Sequence, residues 1–138
     1  MELGLATTLH TTFADAVSKT REALAENGFG VLTEIDVTAT LKTKLDADME
    51  NYLILGACNP PLAHRAMGVN RQIGLLLPCN VVVREDTQNP GAVIVEAMNP
   101  ELMVQVTGEP DLEPVASGAG EKLRAAIASL EQLEAAQS

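Results

Sequence analysis

The sequence predicts an α+β domain in two layers, with helices packed on one face of a mixed, mostly antiparallel sheet of about five strands. Three observations lead there. Apolar periodicity alternates along the chain as strand, helix, strand, helix, strand, helix, hairpin, helix. A polar segment with Pro90 and Gly91 separates two valine-rich runs, which is the pattern of a hairpin. The chain has 138 residues and 46% hydrophobic content but only 2% aromatic, so residues 1–138 suffice for a single domain whose core is built from Leu, Val, Ile, Ala and Met.

Each element has a local reason. Glu2 to His10 reads as the first strand, with His10 at its surface end and no evident partner. Thr12 opens a helix as a hydroxyl cap, with Asp15 three residues on. Phe13, Ala16, Val17, Thr20 and Leu24 recur at helical spacing, and Gly28 is suited to a left-handed stop. Phe29 to Asp36 reads as a strand, with Phe29, Val31, Thr33 and Ile35 expected on one side. Val37 to Leu45 reads as a short helix. Asp36, Asp46, Asp48 and Glu50 around it form a cap and a solvated turn, because no calcium-loop pattern is present.

Glu50 to Cys58 is the third strand, and its consecutive Leu53, Ile54 and Leu55 suit a strand covered on both faces or lying at an interface. Asn59-Pro60-Pro61 ends it and starts a helix to about Met67, since asparagine caps well and proline fits the first turn. Gly68, Asn70 and Gly74 loosen the path to Pro78. Asn80 to Glu85, the turn Asp86 to Gly91 and the strand Ala92 to Met98 follow. Glu101 to Val104 has room for one helical turn. The last helix starts near Leu112, with Val115, Ala119, Leu123, Ala126, Ile127 and Leu130 as its apolar stripe. Gly118 and Gly120 allow close approach to the sheet or mark a kink, and the tail Glu134 to Ser138 is expected to fray.

Composition excludes some classes of partner. A net charge of −10 opposes a phosphate backbone, and three aromatic residues give bases little to stack on, so nucleic acid is not expected. An anionic membrane surface is disfavoured for the same reason. No secretory signal and no apolar run of spanning length is visible, so a cytoplasmic location is expected. There, two cysteines are expected as free thiols, and their separation is not that of a CxxC redox motif.

The chemically able side chains converge on residues 52–85, which hold Cys58, Asn59, His64, Cys79 and Asn80 among dense apolar runs. Cys58 lies just before a helix N-terminus, whose free amides and dipole would stabilise a thiolate. Three readings compete. Both cysteines are small buried hydrophobes. Or Cys58, His64 and Cys79 hold zinc or copper, with Met98, Met103 or a water completing the shell, although the spacing fits no standard motif. Or Cys58 is a nucleophile or redox thiol with His64 as its base. Asn59 is most simply a helix cap; Asn80, odd in an apolar strand, would satisfy the loop Met67 to Gly74 or line a ligand pocket. No dinucleotide fingerprint, P-loop, GxSxG or HExxH occurs, and no residue is assigned as catalytic.

Three segments in order, GFGVLTEIDVTATLKTKL at residues 28–45, LGACNPPLAHRAM at 55–67 and IGLLLPCNVVVRE at 73–85, resemble the bacterial and archaeal domain-of-unknown-function family 302. The resemblance covers Gly56, Cys58, Asn59, Pro60, His64, Pro78, Cys79 and Asn80. It implies a small α+β domain, typically a homodimer, with no established activity. The resulting expectation is a non-enzymatic homodimeric module that binds a small ligand or a metal near Cys58, His64 and Cys79. A thiol enzyme using Cys58 and a purely structural interaction module are the alternatives.

Overall fold

The structure, a computed structural model, describes residues 2–137. Five strands form one sheet in the order β1 (Gly4–Leu9), β5 (Val93–Met98), β4 (Cys79–Glu85), β3 (Tyr52–Cys58), β2 (Gly30–Asp36). Every neighbouring pair is antiparallel. The first two strands therefore sit on opposite edges, and α1 (Phe13–Glu26) spans the sheet between them. The long α5 (Glu113–Gln137) packs beside α1 and over β1. Leu53, Leu55, Val81, Val83, Val95 and Ala97 meet Leu24, Leu123, Ala126 and Leu130 in the main aliphatic core.

A second, smaller core lies at one end of the sheet. It contains Ala66 of α3 (Pro60–Val69), Ile73 of a 3-10 turn at Arg71–Leu76, and Met103 of α4 (Glu101–Thr107). Leu112, Val115 and Ala116 complete it from the start of α5 and the turn before it. The path after α3 is thus ordered by Asn70, whose side chain caps the 3-10 turn through the Gln72 amide. The turn foreseen at Glu101 grows to seven residues, closed by Gly108 in a left-handed conformation.

The caps follow the sequence closely. Thr12 Oγ1 accepts from the Asp15 amide, Asp36 caps α2 (Val37–Leu45) through the Ala39 amide, and Asn59 caps α3 through the Leu62 amide. Asp46 and Asp48 pair with Lys42, as a solvated turn should.

Four expectations change. Phe29, Val31, Thr33 and Ile35 do not share a side. A bulge at Leu32 puts Val31 opposite Ala57 but Thr33 opposite Gly56, so the alternation inverts midway along β2. Phe29 and Val31 join the core, while Ile35 lies beside Ile54 on the other face and is 50% exposed. α5 runs as one continuous helix through Gly118 and Gly120. A Cβ at Gly118 would meet Leu62 Cδ2 at 3.3 Å, so the close approach is to α3 and not to the sheet. His10 has a partner after all: its backbone amide and ring both meet the Glu134 carboxylate. The helix accordingly continues to Gln137, through most of the tail expected to fray; Ser138 lies outside the described residues.

The other face of the sheet is not part of the main core. Tyr52, Ile54, Val82, Arg84, Ile94, Glu96 and Met98 alternate with core residues and are only half-buried. Ile54 sits there between Leu53 and Leu55, so the apolar run of β3 is covered on one face only.

Candidate functional site

The two cysteines come together where the main core meets the second core. β3 and β4 pair with Ala57 opposite Cys79, which places Cys58 one residue beyond the partner of Cys79. Both thiols are free, and both line one small cavity of about 20 Å³. Phe29, Leu62, Ala66, Leu77, Met103 and Val115 supply most of the remaining wall. Asn59 also lines it, but its side chain is committed: Oδ1 accepts from the Leu62 amide and Nδ2 donates to the Gly28 carbonyl. That second bond ties the end of β3 to the turn between α1 and β2, where Gly28 has a φ of +85°.

The two thiols differ in environment. Cys58 is half-buried at the strand end, whereas Cys79 is buried at 6% exposure. Burial pushes the Cys79 thiol up to about 11, and the neighbouring Cys58 adds to the shift. Loss of hydration disfavours the charged thiolate, so Cys79 by itself behaves as an inert apolar residue at neutral pH.

Cys58, Asn59 and Cys79 therefore share a wall, and His64 and Asn80 do not. Leu62, Ala63 and Ala66 form the inner side of α3, while His64, Arg65 and Met67 are exposed. Among the described residues no group of three or more His, Cys, Asp or Glu side chains is arranged to hold a metal ion, so Cys58, His64 and Cys79 are not assembled as one ligand set. The physical reason is helical phase. Position 64 falls on the opposite side of α3 from the inward positions 62, 63 and 66. Asn80 is exposed on the uncovered sheet face, opposite Gly56, rather than serving the loop Met67 to Gly74. It borders a shallow hollow of about 230 Å³ with Leu3, Tyr52, Val82, Glu96 and Met98.

The same approach of strands explains Gly56. A Cβ there would lie 2.1 Å from Thr33 Oγ1 and 2.8 Å from Pro78 Cγ. The Leu77–Pro78 peptide is cis, and Pro78 leads directly into Cys79. The wall residues Leu62, Ala63 and Ala66 are missing from the sequence-based expectation, although their i, i+1, i+4 apolar spacing on the helix after Cys58 could have marked them. Phe29 comes from the turn before β2, Met103 from α4 and Val115 from α5, and no local signal connects them.

A wider open groove of about 670 Å³ lies at the opposite end of the sheet, between Thr11 to Phe13 and Glu50, Asn51, Glu85 and Asp86. Two of its carboxylates serve the fold: Glu85 accepts from the Asn51 amide and Asp86 from the Gln88 amide. Among the described residues, no buried side-chain nitrogen or oxygen lacks a partner.

An antiparallel sheet with helices on one side and two thiols at a strand end defines a small two-layer α+β domain. Residues 5–130 match the family described as Domain of unknown function DUF302, and the chain belongs to that family. It is also similar to a solved structure described as uncharacterized conserved protein DUF302 from Bacillus stearothermophilus, at 27% identity and a TM-score of 0.83, covering 92% of this chain and 97% of that one. No curated protein matches the chain. Among the described residues no helix is long and apolar enough to cross a membrane.

Proposed function

We propose that this chain is a non-enzymatic, homodimeric binding module of the cytoplasm. Two copies join through the uncovered sheet face, and the cavity edge at Cys58 and Cys79 takes the ligand. The observation that carries the reading is the character of that face. Ile35, Ile54, Val82, Ile94 and Met98 present aliphatic surface on four adjacent strands, with Tyr52 beside them. Contiguous apolar patches of this kind mark interaction sites.

Charge leaves this face as the one where a second copy is not opposed. The chain as a whole carries −10, so two copies repel over most of their surfaces. On this face Arg84 Nε donates to Glu96 Oε1 at 2.8 Å, and the two charges cancel locally. The Arg84 guanidinium is held above its ordinary range mainly by that bond. Two such faces can stack about 10 Å apart in a two-fold arrangement without opposing like charges. The reading of a thiol enzyme is the weaker one, because His64 is exposed and off the cavity wall where a base for Cys58 would have to reach. Free thiols in a reducing compartment agree with the cytoplasmic placement.

Light scattering coupled to size exclusion tests the reading. The native chain is expected at twice its 14.6 kDa mass. Val82→Lys is expected to run as a folded monomer with an unchanged far-UV circular dichroism spectrum. A native chain that stays monomeric at its highest soluble concentration, or a Val82→Lys variant that stays dimeric, defeats the proposal.

A further inference from the structure

The cavity at the junction of the two cores is unusual in what surrounds it. At about 20 Å³ it admits one atom-sized occupant. Sites for organic ligands are typically about 300–1,000 Å³, so size excludes a small organic molecule. The lining residues are hydrocarbon in character apart from Asn59 and three that carry sulfur, Cys58, Cys79 and Met103. A hard cation such as calcium or magnesium needs a shell of oxygens, which this wall does not provide. The one side-chain carbonyl, on Asn59, already accepts from the Leu62 amide. Zinc needs four strong donors, and among the described residues no third His, Cys, Asp or Glu joins the two thiols. Two thiolates and a thioether form a soft donor set of low coordination number, the set that selects copper(I).

We infer that Cys58, Cys79 and Met103 form a binding site for a single soft monovalent metal ion of the copper(I) type. This rests on the reading of the cavity edge as the ligand-taking part of the module and names what it takes. The three sulfurs come from elements that meet only in the folded chain: the end of β3, the start of β4, and α4. Cys58 is half-buried and Cys79 and Met103 are buried, so an ion would meet Cys58 first and be handed inward. Each coordinating thiol releases its proton as the metal–sulfur bond forms, and the metal does not change oxidation state. The apolar wall holds water away, which suits a cation that copper–sulfur bonds satisfy without hydration. His64 has no part in this shell.

The test is an oxygen-free titration of the full-length chain with copper(I), using bicinchoninate as a coloured competitor. One equivalent per chain is expected to be withdrawn from the competitor. Cys58→Ser is expected to abolish this, and it is the milder of the two cysteine changes because Cys58 is half-buried. Met103→Leu keeps the core volume and is expected to lower affinity at least ~10-fold, the loss typical even of residues that only support a ligand. His64→Ala is expected to leave affinity unchanged. X-ray absorption at the copper edge is expected to show sulfur neighbours alone. Failure of the native chain to compete, full binding by Cys58→Ser, or nitrogen in the shell overturns the inference. Light scattering on the same metal-free samples reads dimerisation separately, so either proposal can fail while the other stands.

Discussion

The two faces of one strand show how differently this sheet is used. Along β3, Leu53, Leu55 and Ala57 point to the helices and are almost wholly buried. On the other face, Tyr52 and Ile54 point away and stay half-exposed, although Ile54 is as apolar as its neighbours. Hydropathy does not separate the faces here, because both sides of β3 are apolar. What separates them is that α1 and α5 cover only one side. The covered face shows where folding places its stabilisation. The uncovered face carries apolar area that folding of one chain leaves unused, and such area is available for association.

The largest effect should come from the covered face. Leu55→Ala removes a side chain with 0% exposure, and such a truncation costs about 2–5 kcal/mol. Ile54→Ala, one residue away, should cost clearly less in urea unfolding at high dilution, where association does not contribute. Equal costs at dilution would mean that the second face is packed as tightly as the first. Gly56→Ala comes next, on the uncovered side. The new Cβ has no room beside Thr33 and Pro78, and overpacking of this kind costs about 1–3 kcal/mol. A neutral Gly56→Ala would show that β2 and the Pro78 turn yield freely.

The smallest effect concerns the fastening of the covering layer. Hydrogen bonds from the His10 ring and backbone hold the Glu134 carboxyl below its ordinary range, and so join the end of β1 to the last turns of α5. A carboxylate with a lowered folded pKa stabilises above its unfolded value, and this is lost as pH falls through the folded one. Glu134→Gln should therefore flatten the acid limb of the stability curve below about pH 4.3, the ordinary glutamate range, and change little near neutrality. An unchanged acid limb would show that this contact does not hold α5 to the sheet. Because the His10 side chain of this pair is 62% exposed, the change should be modest.

Much of the fold is legible without coordinates because its signals are local. Asparagine before two prolines, threonine before an apolar helix stripe, and a polar turn between valine runs each act within a few residues, and each element so marked is present. The bulge at Leu32 is not legible in that way. It depends on which residue of β3 each residue of β2 meets, and one extra residue inverts every later side chain. The candidate site divides along the same line. That Cys58 and Cys79 lie at element ends can be read directly, but their shared cavity depends on how β3 and β4 pair and on the elements that close over their ends. The placement of His64 away from it turns on helical phase, and the arrival of Met103 turns on how α4 packs.

The order of elements, the aliphatic core, the helix caps and the acidity were determined by the sequence itself, because propensity, capping and charge act over a few bonds or on composition alone. Which face of the sheet is covered, which sulfurs meet and which glycine cannot carry a Cβ were decided only by tertiary structure. Those properties depend on strand register, helix phase and the contact of segments far apart in the chain, and no window of neighbouring residues contains that information.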